Sequence, residues 1–92
     1  MDTKPVKVYV AVRASFGQDG RLLPTELTWE DGRVFEIDRV TEVRQAAAQK
    51  AGGQGDRYTI WINGQQSYLF FERNAAVAGS NIGRWFVERR VA

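Results

Sequence analysis

The 92-residue chain contains neither histidine nor cysteine. Those two absences exclude disulfides, thiol nucleophiles, zinc held by His or Cys, and any mechanism in which an imidazole carries the proton. Ser15, Ser67 and Ser80 therefore have no histidine to activate them, and none begins a Ser-x-x-Lys arrangement. Long apolar runs are also missing. Nothing approaches the roughly 20 residues that a membrane-spanning helix needs, and residues 1–7 lead into alternating positions instead of a signal-peptide core. A thiol-free chain suits a reducing compartment. The expectation is a cytoplasmic protein with no membrane partner, no metal and no cofactor.

What is present is apolar and aromatic. At 43% hydrophobic and 12% aromatic the chain carries enough large side chains for one domain over residues 1–92 without a staple. Thirteen cations face eleven acids, a surplus of two, too mild by itself to mark a nucleic-acid binder. All the cations except Lys4, Lys7 and Lys50 are arginine, the residue suited to bidentate contacts and to stacking on rings.

Alternation fixes most of the elements. Val6, Val8, Val10, Val12, Ala14 and Phe16 share one parity and predict a strand with one buried face. Asp19-Gly20 predicts a turn, after which Leu23, Thr25, Leu27 and Trp29 share a face, with Pro24 near the start as at a sheet edge. Asp31-Gly32 predicts a type I′ hairpin turn joining the second and third strands. In the third strand the spacing Ile37, Val40, Val43 departs from period two, and a bulge near Asp38-Arg39 restores it. Residues 45–51, rich in alanine and followed by Gly52, predict a short helical turn.

Residues 57–63 and 67–72 predict a fourth and fifth strand around a loop at Asn63-Gly64-Gln65-Gln66. Pairing Ile62 with Ser67 sets Ile60 opposite Leu69 and Tyr58 opposite Phe71, and leaves Trp61 beside Tyr68, with Phe70 next along, on the other face. Residues 84–89 predict a closing strand in which Trp85 or Phe86 joins the core. The expected fold is all-β: a small, strongly curved SH3-like barrel of five to six antiparallel strands with one helical turn.

Five stretches, Trp29-Glu30-Asp31-Gly32-Arg33, Ile37-Asp38-Arg39-Val40, residues 51–58, Tyr68-Leu69-Phe70-Phe71-Glu72 and Arg84-Trp85-Phe86-Val87-Glu88, resemble a family of small uncharacterised bacterial proteins of about this length. The Trp-x-Asp-Gly-Arg hairpin and the closing Trp strand also loosely resemble a barrel-like domain of unknown function found in actinobacteria, sometimes alongside Y-family DNA polymerases. The resemblance implies a small barrel and supplies no catalytic residues.

The candidate site is a surface. Trp61, Tyr68 and Phe70, with Arg57 and Arg84 as nearby cations, form the aromatic cluster that parity turns away from the core. Such a cluster is covered by the chain itself, buried in a self-association contact, or used to bind a partner protein or single-stranded nucleic acid. A non-enzymatic protein-interaction or homodimer module is the first reading. An accessory nucleic-acid binder using Arg57, Arg84, Arg89 and Arg90 is the second. Residues 52–57 are glycine-rich but lack the Gly-Lys-Ser/Thr end of a phosphate loop. The acids Glu30, Asp31, Glu36, Asp38 and Glu42 lie close to Arg33, Arg39 and Arg44 and predict ion-paired strands, not a catalytic or metal-holding cluster.

Overall fold

A computed structural model of the chain describes residues 4–47, 54–73 and 83–91. Seven strands form a single sheet: β1 Lys4–Phe16, β2 Leu22–Thr28, β3 Val34–Glu36, β4 Arg39–Ala47, β5 Gln54–Ile62, β6 Gln65–Arg73 and β7 Arg84–Val91. Their order across the sheet is β3-β2-β1-β7-β6-β5-β4, and every neighbouring pair is antiparallel. β7 is thus the middle strand and joins a β1–β3 meander to a β4–β6 meander.

The pairings make β3 and β4, at opposite edges of the sheet, run in the same direction with only Ile37 and Asp38 between them. A flat sheet cannot meet that constraint, so the sheet curls into a half-barrel. The link is stitched to both sides. The Ile37 N–H donates to the Thr25 carbonyl on β2 at 2.9 Å, and the Asp38 N–H donates to the Trp61 carbonyl on β5 at 2.8 Å. Asp38 also accepts the Asn63 N–H through its carboxylate at 2.9 Å, which clamps the β5–β6 turn to the same link.

The expected third strand is therefore two strands, broken at Ile37–Asp38 and shifted in register between Val40 and Glu42. That break raises the count to seven, above the expected five to six, and the strands form a curled half-barrel of two meanders joined through β7. The helical turn is not present among the described residues, because residues 45–47 continue β4; the remainder of that stretch lies outside them. Residues 54–57 likewise belong to β5, so their peptides serve the ladder instead of an anion nest.

The concave side holds the core: Leu27, Tyr58, Ile60, Leu69 and Phe71, with Val10, Val12, Phe35, Val40, Trp85 and Val87 packed against it. Ile60 and Leu69 are fully buried, each worth about 1.5–3 kcal/mol relative to exposure. Trp85 is the inward residue of the closing pair, lying 4.8 Å from Phe71 and 5.2 Å from Tyr58 between ring centroids. The parity of β1 fails at its ends, where Val6 and Phe16 are exposed. That of β2 changes where Thr25 is skipped between the Ala14–Pro24 and Arg13–Glu26 pairs, which buries Pro24 and exposes Thr25.

Among the described residues the three tight turns all use positive φ. The type I′ geometry expected at Asp31-Gly32 occurs instead at Asn63-Gly64, where φ is 52° and 77°. At 30–32 the loop has three residues: the Gly32 N–H donates to the Trp29 carbonyl, the Trp29 N–H donates to that of Arg33, and only Gly32, at φ 90°, is left-handed. Residues 18–20 repeat this design, with Gly20 at φ 82° and the Gly17 N–H donating to Arg21. In both loops the aspartate accepts the N–H of the arginine two positions on, at 3.0–3.1 Å.

Candidate interaction face

The convex face of the sheet is organised by register. Tyr9 on β1, Phe86 on β7, Phe70 on β6, Arg57 on β5 and Arg44 on β4 stand opposite one another in a single row across five strands. Phe70 and Phe86 stack at 5.0 Å with their planes 7° apart, and Tyr9 meets Phe86 edge-on at 5.9 Å. Phe86 is only 5% exposed although it points away from the core, because Tyr9 and Phe70 flank it and the Lys7 ammonium sits over its ring at 4.8 Å. The half-barrel thus has a second, smaller apolar cluster on its outer surface.

Cations cover the exposed rings of this face. Arg57 lies over Tyr68 at 4.7 Å and Arg84 over Tyr9 at 4.2 Å, contacts worth about 0.5–1 kcal/mol each at exposed sites. Glu72 anchors the arrangement. Its carboxylate, nearly buried, accepts from the Lys7 ammonium, from the Tyr9 hydroxyl at 3.0 Å and from Arg84 at 3.3 Å. The Lys7 hydrogen bond holds Glu72 below the ordinary carboxylate range against the opposing effect of burial, with further help from Tyr9 and Arg84. Arg57 is 3.6 Å from Glu42, which also pairs with Arg44 at 2.8 Å.

The expected site residues separate into two groups. Tyr68, Phe70, Arg57 and Arg84 share the row and its borders. Trp61 does not, because the two-residue turn at Asn63-Gly64 moves the β5–β6 register by two positions. Ile60 faces Ser67, Tyr58 faces Leu69, and Trp61 faces Gln66 while Thr59 faces Tyr68. A shift of two keeps every face as expected and changes only the partners. Trp61 forms its own small patch, with Arg39 over its ring at 4.7 Å and its indole N–H donating to the Thr41 hydroxyl at 3.3 Å.

Tyr9, Lys7, Phe86 and Glu72 are members of the face that sequence reasoning missed. Their outward parity was readable, but the β1–β7 pairing that assembles them joins opposite ends of the chain. Of the acids flagged beforehand, Asp31, Glu42 and Glu30 are ion-paired to Arg33, Arg44 and Arg89. Asp38 instead serves the Asn63 turn. Among the described residues no three acids gather where a metal ion would fit, and no helix is long and apolar enough to cross a membrane.

A cleft of about 890 Å³ opens where the barrel wall is incomplete, between β2 and β4, and is lined by Leu22, Pro24, Val40, Val43, Tyr58 and Phe71. The Tyr58 hydroxyl donates to the Leu22 carbonyl across it at 2.6 Å. Burial pushes the ionisation of that hydroxyl up, with Asp56 adding to the effect, so Tyr58 stays a neutral donor that props the opening.

The architecture defines an all-β, curled half-barrel with an aromatic and arginine-rich convex face. No protein-family model matches the chain, and comparison with curated proteins and with solved structures returns no match either.

Proposed function

We propose that the protein is a non-enzymatic interaction module that docks on another protein through the convex face of β1, β7, β6 and β5. One observation carries the reading. Tyr68 and Tyr9, 43% and 42% exposed, are each covered by an arginine around a stack of half-buried Phe70 on buried Phe86. Tyr, Phe and Arg are the residue types enriched at the centres of protein interfaces, where rigid rings and delocalised cations give contact area at low entropic cost. A cytoplasmic setting suits a module without thiols, and the likeness to small bacterial proteins adds no catalytic residue to it.

The rival reading, an accessory nucleic-acid binder, needs bare rings for bases and unpaired cations for phosphates. Here the guanidinium groups already lie on Tyr68 and Tyr9. Arg57 neighbours Glu42, Arg84 and Lys7 are paired with Glu72, and Arg89 is paired with Glu30 at 2.8 Å. These pairings favour a protein partner.

A photo-reactive benzoylphenylalanine in place of Tyr68 should give a discrete protein adduct in cells, lost when Arg84→Glu is added. The same group in place of Phe16, which is exposed but off the row, should not. Salt-sensitive oligonucleotide binding without a protein adduct would assign the face to nucleic acid, and the absence of both would remove either use.

A further inference from the structure

We infer that the free edge of β4 pairs with the same edge of a second copy, antiparallel and centred on Val43. The inference is independent of the convex-face reading. Among the described residues β4 pairs only with β5, and its other side borders the open cleft. It is a nine-residue edge, whereas the other edge of the sheet, β3, has three. Natural sheets protect long edges with proline, lysine or a bulge. From Glu42 to Ala47 β4 has none of these; its one register shift lies before Glu42. At the centre of β4 Val43 is 48% exposed.

The charges beside Val43 choose the partner. In an antiparallel pair centred on residue 43, position 42 of one strand faces position 44 of the other, on the same side of the sheet. Glu42 then meets Arg44 of the second copy, and Arg44 meets its Glu42. Both side chains are solvent-accessible on the convex face. A parallel in-register pair would instead set Glu42 against Glu42 and Arg44 against Arg44. Centring on Gln45 sets Arg44 opposite Ala46, and centring on Thr41 sets Glu42 opposite Val40 and Arg44 opposite Asp38, which lies outside β4 and already accepts the Asn63 N–H. The pattern Glu-Val-Arg on an unprotected edge is therefore self-complementary in one orientation and one register, and repulsive or indifferent in the others. Pairing also covers Val43 and extends the sheet from β5-β4 of one copy into β4-β5 of the next, an isologous two-fold contact.

Charge exchange tests this directly by sedimentation. The wild type should be a dimer that loosens with salt. Glu42→Arg and Arg44→Glu, each folded by circular dichroism, should each weaken self-association by roughly tenfold or more, since each turns both ion pairs into like-charge contacts. An equimolar mixture of the two variants should form a heterodimer, and the double variant should dimerise like the wild type. The chain has no cysteine, so Val43→Cys should cross-link between copies on mild oxidation while Phe16→Cys does not. A wild type that stays monomeric to about 1 mM, variants that fail to associate on mixing, or no preference for position 43 over 16 would overturn the inference. So would a dimer that is lost in Tyr68→Ala and untouched by charge reversal at 42 and 44.

Discussion

Lys7 and Glu72 are 65 positions apart and lie on strands that do not pair, yet the ammonium donates to the carboxylate across the intervening β7. On its way the lysine passes over Phe86. One side chain therefore covers an apolar ring that faces away from the core and neutralises the acid beside it. The contact ties β1 to β6, one strand from each meander.

That pairing makes stability depend on pH. The folded chain holds Glu72 more acidic than the unfolded chain does, so its contribution is whole above the ordinary glutamate range and is lost as pH falls from that range through the depressed folded value. Urea midpoints taken at successive pH values should drop across this window in the wild type, and less steeply in Glu72→Gln. Equal slopes would show that the carboxylate is not held by Lys7 in solution.

The two aromatic positions of the convex face should respond differently to truncation. Phe86→Ala empties a buried site between Tyr9 and Phe70 and should cost about 3 kcal/mol or more. Tyr68→Ala, at an exposed position, should cost less than about 1 kcal/mol. Denaturant unfolding measures both, and a Tyr68 cost as large as that of Phe86 would mean the face is structural throughout.

Gly32 sits at φ 90° with open space where a side chain would go. The cost of Gly32→Ala is therefore conformational alone, about 1–2 kcal/mol, and Gly32→Val should cost more. The denaturant midpoint should fall with an unchanged slope.

The Asp38 carboxylate is the side-chain partner of the Asn63 N–H. Asp38→Ala should accelerate amide exchange at Asn63 and lower stability by about 1 kcal/mol, while exchange in the middle of β1, away from this link, is unchanged. Uniform acceleration across the sheet would indicate global unfolding instead of local release.

Alternation located β1, β2, β5, β6 and β7, because one face of each packs on the core and side-chain parity is a local property. It also placed Tyr68 and Phe70 outside and left Val87, Ile60 and Leu69 inside. Loop length was less legible. Asp-Gly served a three-residue loop and Asn-Gly a two-residue turn, so partners along β5 and β6 moved by two while faces stayed correct. The break at Ile37–Asp38 was visible as a lapse in period, but not as a switch of partner from β2 to β5, since nothing local announces which strand lies across the gap. Half of the convex face depends on β1 meeting β7, a relationship between residues about 80 positions apart for which alternation gives no sign.

Ending the chain at Gly83 should abolish cooperative unfolding, since it removes the middle strand together with Trp85 and Phe86. A truncated chain that still melts sharply would contradict the strand order.

The central place of β7 also dictates when the molecule can form. On the ribosome, six strands emerge before the one that joins them, and until then the inner edges of β1 and β6 have no partner. Two three-stranded pieces with open edges are prone to mispairing and aggregation. The β1–β7 ladder pairs residues about 80 positions apart, so its formation should be slow relative to the local hairpins. Committed folding is thereby deferred until β7 has emerged, and variants that slow the arrival of β7 should lower soluble yield even where the finished protein is as stable as before.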